Sequence, residues 1–457
     1  MHIQTVYRAA LAALAGLTTL SFTACGSNQA GSVAAGSFSD QWPQPYKEAV
    51  PAAFDAAGLH ALDKQLLDYV ETGEVAGIEA LLVKDGDVAL YTRHGVRDVE
   101  DQTPLGDDTI WRIYSMTKPV TGVALLQLYE DGKFDLDDPL SQYIPEFADL
   151  KVLAGENPDG TPVLEAPERK PTIRDAMRHT AGFAYGLFGS DYANRQFREK
   201  QILGSPDYPT LIDRVAEVPL LFQPGERWSY SISVDVQAYL VERLSGISFG
   251  DYLEKNIFDP LAMHDTGFHV PDAEYDRLAD LMVWSPEAGR FVPVPEDRSS
   301  PQSLPYLYRR DTIAFKSGGH GLVSTIGDYA RFSQMMLNGG ALGDARIISP
   351  ETVELMTSNQ LPEGLGIGFN GTVRSGKKSE PHKFGLGWGV ISDPEAMASP
   401  AGEGTFYWGG AAGTWFWIDP QNDLFFIGMI QRFGDDPDSI FDARALSMKL
   451  VYEALSG

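Results

Sequence analysis

The chain has 457 residues, 43% hydrophobic and 11% aromatic, enough for a large core in one big or two interleaved domains. Its 63 acidic against 36 basic residues leave a formal charge of -27, which argues against nucleic-acid binding because phosphate contacts need a basic surface. With one cysteine, no disulfide can form within the chain.

Met1 to Arg8 is short and weakly basic, and Ala9 to Ala24 is apolar and rich in Ala and Leu. That stretch is short for a bilayer span, so residues 1–24 read as a secretory signal. The lone Cys25 follows directly, in Ser21-Phe22-Thr23-Ala24-Cys25-Gly26, which resembles a bacterial lipobox apart from Phe22. The expectation is an exported protein of the periplasm or cell envelope, lipidated at Cys25, with residues 25–53 as a linker whose Asn28 to Ser39 stretch, rich in Gly, Ser and Ala, is a flexible tether. Ordinary signal cleavage beside an incidental cysteine is the alternative.

Apolar spacing over Phe54 to Val70 predicts a helix. Ile78 to Val83 and Val88 to Tyr91, split by Asp85-Gly86, have the pattern of a hairpin. Thr109 to Tyr114 is β-branched and aromatic, and Val120 to Leu128 is apolar and helical. Between them lies Ser115-Met116-Thr117-Lys118, an S-x-x-K tetrad placed to open a helix. A serine in the first turn has its Oγ near the positive end of the dipole and near free backbone N–H groups. A lysine three residues on reaches that oxygen, and burial beside it favours the neutral amine, which can accept a proton at neutral pH. A hydroxyl thus becomes a nucleophile without a histidine. The tetrad alone fits a helix-opening serine and a surface lysine equally well. A second copy, Ser375-Gly376-Lys377-Lys378, sits in a polar loop with no helical run behind it and reads as chance.

From about 120 to 300 helices are expected to dominate. Thr172 with Asp175 forms a capping box for a helix ending near Gly182. Trp228-Ser229-Tyr230-Ser231-Ile232 follows the turn Gln223-Pro224-Gly225-Glu226 and precedes a helix over Val234 to Leu244, stopped by Gly246. A loop tyrosine there could face a cleft and shuttle protons for Ser115; packing at a helix start is the alternative. Gly246-Ile247-Ser248-Phe249-Gly250 fits the G-x-S-x-G elbow, but a helix precedes it, and Ser248 with Asp251 reads instead as a helix cap. His264 and His269 are spaced wrongly for two ligands on one helix face, so no metal is expected. Further helices are expected from Thr325 to Leu337, from Ser349-Pro350-Glu351, and over Ser439 to Leu455. Thr405 to Trp408, Thr414 to Ile418 and Leu424 to Ile430 read as strands. Trp408-Gly409-Gly410-Ala411-Ala412-Gly413 closes the first of these; paired glycines there imply close approach by a backbone or ligand, or a bulge or tight turn.

Hairpin first, helices in the middle and strands last imply an α/β (α+β) fold. Its antiparallel sheet would be built from both chain ends and flanked by helices, with a mainly helical domain inserted. The expected division is 54–110 with 310–457 as the α/β domain and 111–309 as the helical one, the active site lying between them.

The tetrad, the Tyr230 loop and the Trp408 strand together resemble the serine β-lactamase and penicillin-binding-protein superfamily, closest to the family VIII carboxylesterases. The stretches Met177 to Phe183, Gln223-Pro224-Gly225 and Ser317 to Thr325 are also typical of it. The resemblance implies Ser115 as acylated nucleophile, Lys118 and Tyr230 as general base, and the backbone N–H groups of Ser115 and Ala411 as oxyanion hole. His179 and His320 fall in typical loops and read as structural. The chain departs at Trp408, where β-lactamases have the lysine of K-T-G, and at Ile232, where they have an amide-binding asparagine. Trp408, Gly409, Gly410 and Ile232 would then line an apolar substrate site that favours esters over penicillins and peptides. The expected protein is a serine esterase acting on a small ester without a cofactor, touching a membrane only through its lipid. A β-lactamase, a D-alanyl peptidase or an acyltransferase on the same scaffold is the alternative.

Overall fold

In the computed structural model, which describes residues 53–294, 315–367, 382–434 and 442–455, the two ends of the chain meet in one sheet. Strands β1 (Gly77–Lys84), β2 (Asp87–Asp98) and β3 (Thr103–Pro104) come from the front. Strands β4 (His382–Phe384), β5 (Gly389–Ile391), β6 (Thr405–Gly409), β7 (Trp415–Asp419) and β8 (Leu424–Met429) come from the back. The order across the antiparallel sheet is β4-β5-β6-β7-β8-β1-β2-β3. The seam is β1 on β8, with Glu79 opposite Met429 and Lys84 opposite Leu424. Asp85 and Gly86 both take positive φ, 54° and 79°, as the tight two-residue turn between β1 and β2 requires.

Side chains alternate across β1, as the two-residue period of a strand dictates. Ile78, Ala80 and Leu82 face α1 (Ala56–Glu71) and α5 (Ala443–Ala454). Leu81 and Val83 face the core that carries α2 (Thr117–Glu130), α3 (Ser233–Ser245) and α4 (Ile326–Leu337). Covered on both faces, β8 is buried from Leu424 to Met429, which is why it reads as an unbroken apolar run. Helix α2 is buried from Thr117 to Leu126, so it lies inside the core rather than on it.

Two expectations need correction. The helix capped by Thr172 covers only Ile173–Met177, because the backbone turns left-handed at His179 (φ 58°) well before Gly182. The middle of the chain is also less helical than expected. It contains the hairpins Val152–Glu156 with Pro162–Glu165 and Met282–Ser285 with Arg290–Pro293, whose strands are too short to show a periodicity. The expected caps at Thr172, Ser248, Thr325 and Ser349 each accept the backbone N–H three residues on.

A buried carboxylate ties β1 to the segment that leads to Ser115. Glu79, fully inaccessible, accepts the Tyr91 hydroxyl (2.7 Å) and the Trp111 indole N–H (2.8 Å). Burial pushes its pKa up to about 7 against the opposing pull of these two donors. A carboxyl held above its unfolded value gives its full contribution to stability below pH ~4.5 and loses it as pH rises toward 7. Glu79→Gln, which keeps an acceptor for Trp111, should therefore raise the thermal midpoint at pH 8 by more than at pH 5. Scanning calorimetry across that range checks it; an equal shift at both values would show that the carboxyl does not titrate there.

Candidate active site

The strand Trp111–Arg112 pairs with Val323–Ser324 and delivers the chain into a tight turn. Tyr114 there takes φ 42°, a left-handed conformation that costs a side-chain-bearing residue about 1–3 kcal/mol and recurs at functional sites. Ser115 lies in the 3-10 turn Tyr114–Met116 that runs straight into α2, not within the first turn of α2 as expected. The three-residue spacing still stacks the tetrad: Lys118 Nζ donates to Ser115 Oγ at 3.1 Å. Ser115 is half-buried, and Lys118 is 2% exposed.

Lys118 has three donors, and each has a partner. Besides Ser115 they are the Gly319 carbonyl at 2.6 Å and the Tyr185 hydroxyl at 3.4 Å. Its ammonium also lies 4.6 Å from the centre of the Tyr230 ring and 5.5 Å from that of Tyr185, within cation–π range. Tyr230 thus sits beside the pair, yet its buried hydroxyl makes no hydrogen bond among the described residues. The Tyr230 ring is boxed by Trp228, His179, Tyr185 and Trp408. The phenol bonded to Lys118 is that of Tyr185, which sequence reasoning missed. It lies two residues past the family-typical stretch ending at Phe183, and that proximity was the available signal.

The hairpin between β6 and β7 brings the glycines to the same place. Gly410 donates to Thr414 O at 2.7 Å, and a Cβ on Gly410 would fall 2.5 Å from the Ile113 carbonyl, two residues before Ser115. A side chain on Gly409 would run into the Arg444 guanidinium. The paired glycines therefore let the hairpin tip close on the nucleophile turn and on α5. Ala411, next in the tip, bonds its N–H to no acceptor among the described residues.

Ser115 opens into a cavity of about 320 Å³, whose walls include Tyr185, Leu187, Phe188, Tyr230, Trp408 and Phe433. Tyr114, Gly409, Gly410, Ala411, His320 and Arg444 complete the lining. Arg444, on α5, is the second polar residue missed in the sequence; a helix that begins 325 residues after Lys118 gave no hint of it. Ile232 is a correction. It is 1% exposed, opens α3 with its side chain in the core, and does not line the cavity. Ser248 caps the helix Phe249–Leu253 and does not line the cavity either. Ser375 to Lys378 and Cys25 lie outside the described residues.

Both nearby imidazoles are neutral. Burial, and then the Lys118 charge, hold His179 well below the ordinary histidine value and His320 down to about 3. His179 packs edge-on against Trp228 and Phe384 and meets Ser231 Oγ at 3.1 Å. Beneath the site Asp235 is wholly buried, its carboxyl pushed up by desolvation and pulled down by Ser317 and Lys118.

A half-buried serine beside a buried lysine, facing an apolar cavity and a glycine hairpin, fits a serine hydrolase of the β-lactamase fold. The beta-lactamase family model matches residues 62–448, and the chain belongs to that family. It is 34% identical to a Mycobacterium tuberculosis protein (Protein Rv1367c) over 83% of this chain and 90% of that one. It is 31% identical to the lovastatin esterase of Penicillium rubens, over 73% of this chain and 82% of that enzyme. The solved structure of EstCE1, a hydrolase with promiscuous acyltransferase activity, shares the fold. It superposes with a TM-score of 0.70 at 24% identity, over 88% of this chain and 99% of that one.

The close approach of Gly410 to the Ile113 carbonyl gives a test of the hairpin's role. Gly410→Ala should displace the tip and lower kcat/KM on an ester at least tenfold, with an unfolding midpoint within a few degrees of wild type. Steady-state kinetics and calorimetry on the same preparation check it.

Proposed function

We propose that this chain is a serine esterase that works through an acyl-enzyme on Ser115. The observation that carries the reading is the 3.1 Å contact of Lys118 Nζ with Ser115 Oγ at the wall of an apolar cavity. In its neutral form Lys118 takes the Ser115 proton as Oγ adds to the ester carbonyl. The negative oxygen is held by the backbone N–H groups of Ser115 and Ala411. As the carbonyl re-forms, the proton passes to the departing alcohol, leaving an acyl–Oγ ester. Water then adds to that ester, gives its proton to the same group, and the acid leaves as Ser115 regains the proton.

A tyrosine shares this proton transfer. Tyr230 is the one expected from the motif, while Tyr185 is the one bonded to Lys118. The aromatic and aliphatic walls favour an apolar ester, and the volume suits a short to medium acyl chain. One observation favours the β-lactamase or D-alanyl peptidase alternative: Arg444 puts a guanidinium on the cavity wall, where Trp408 offers no cation for a carboxylate. The N-terminal reading stands alongside as part of the proposal: export, with lipidation at Cys25, would confine the enzyme to the cell envelope.

Intact-mass detection of a stalled acyl adduct, with peptide mapping, is the decisive experiment. An ester panel should leave the adduct on Ser115, and turnover of nitrocefin should fall well below that of short-chain esters. Comparable nitrocefin turnover would favour the β-lactamase reading, and an adduct mapped to Ser248 would end both. Ser115→Ala should abolish fluorophosphonate labelling, and Lys118→Ala should lower kcat by about a thousandfold or more. Ser248→Ala should leave turnover within twofold. Of Tyr185→Phe and Tyr230→Phe, the variant that loses at least a hundredfold in kcat identifies the phenol that moves the proton.

A further inference from the structure

The loop that carries Tyr185 continues into a two-residue tip on the cavity wall, and the backbone of that tip is fixed from behind. Gly186 and Gly189 take positive φ, 72° and 78°, so the chain turns sharply on either side of Leu187-Phe188. The helix Tyr192–Glu199 holds both turns. Asn194, 6% exposed, accepts the Gly186 N–H at 2.9 Å and donates its own amide N–H to Asp191 Oδ2 at 2.8 Å. Arg198, four residues on and so on the same helix face, donates to the Gly186 carbonyl at 2.9 Å and to the Gly189 carbonyl at 3.2 Å. The packing is close as well: a Cβ on Gly186 would fall 2.5 Å from the Phe197 ring. The same frame carries Tyr185, whose N–H meets Asn194 Oδ1 at 3.4 Å and whose hydroxyl is bonded to Lys118.

The two tip residues differ in how they are covered. Phe188 is half-buried and packs against the main core. Leu187 is 46% exposed and joins no apolar cluster among the described residues, yet it lines the cavity that Ser115 opens into. A lone exposed leucine is ordinary on a protein surface. This one is set apart by its place and its restraint. Of the exposed large apolar residues Val163, Leu164, Leu187 and Ile247, it is the one on the cavity wall, and the clamped backbone keeps it there. The reaction decides which part of an ester covers it. The alcohol leaves and water arrives beside the Lys118 group, because each exchanges a proton there. The acyl chain stays in the cavity through both steps, so the apolar tip serves the acyl chain.

We propose that Leu187 and Phe188 bind the acyl chain and make the enzyme selective for medium-chain acyl esters over acetyl esters, with Asn194 and Arg198 as the positioning residues that hold the tip. The proposal rests on the acyl-enzyme reading above and names the substrate class of that same site. Each acyl CH₂ that the tip covers counts about fourfold in affinity, the equivalent of about 0.8 kcal/mol.

The test compares p-nitrophenyl octanoate with p-nitrophenyl acetate. Leu187→Ala should lower the ratio of their kcat/KM values about tenfold, chiefly through a higher KM for the octanoate. Leu187→Met, which restores the apolar surface, should recover most of that ratio. Arg198→Met, which frees both carbonyls, should lower the ratio and also kcat on both esters, since Tyr185 loosens with the tip; an unmoved ratio there would remove the clamp from the proposal. A merely structural role for Leu187 would lower both esters alike. If Leu187→Ala instead weakened octyl acetate relative to ethyl acetate and left the acyl ratio in place, the tip would serve the alcohol and the acyl assignment would be overturned. An octanoyl adduct on Ser115 with unmoved ratios sinks this proposal alone. No adduct on Ser115 sinks the acyl-enzyme reading and this proposal with it.

Discussion

The Lys118 side chain is the point on which the site turns. An ammonium 2% exposed is costly to bury unless every donor is satisfied, and here three acceptors from three parts of the chain do so. Ser115 comes from the same helical entry, Tyr185 from the loop after the short Thr172-capped helix, and Gly319 from the loop before α4. Two tyrosine faces add their quadrupoles. Each of these groups is placed by its own packing. The amine therefore does not have to recruit them, and its geometry toward Ser115 Oγ is set before any substrate arrives.

The sheet supplies the opposite wall of the site by a different physical route. Its strands β6, β7 and β8 carry aromatic side chains that pack α5 on one face and the helical core on the other. At the tip of the β6–β7 hairpin the side chains disappear, and backbone comes against the Ile113 carbonyl and the Arg444 guanidinium. The same two glycines that weaken a strand elsewhere are what allow the tip to sit beside the nucleophile turn. The left-handed Tyr114 completes the fit by turning the chain sharply between the strand Trp111–Arg112 and α2.

The polar groups beneath the site show how burial sorts function from structure. Glu79 is a carboxyl pushed up by desolvation that joins β1 to Trp111 and is not part of the cavity lining. Asp235 is likewise wholly buried, yet it lies under the Lys118 loop and organises Ser317, Gly319 and His320. Two buried acids with similar physics thus serve different ends, and only their neighbours distinguish them.

Much of this was readable in advance, for reasons tied to particular residues. Local rules placed the Asp85-Gly86 turn, the caps at Thr172, Ser248, Thr325 and Ser349, the Gly246 stop and the strands from Thr405 onward. All of these depend on residues a few positions apart. The tetrad was legible because three residues make one helical turn whatever surrounds it. Ile232 was misjudged because the motif predicts a position in a loop, while packing at the start of α3 decides which way the side chain turns. Tyr185, Arg444 and His320 lay beyond reach, since their places depend on contacts across the fold: Tyr185 on Lys118, 67 positions away, Arg444 on the hairpin tip at Gly409, and the His320 loop on Asp235, which bonds Ser317 82 positions away. Sequence by itself determined the local elements and the Ser115–Lys118 pair, because short-range geometry suffices for both. Only the tertiary structure decided which phenol meets that pair and which cation and imidazole share its cavity, because each is brought there across the fold.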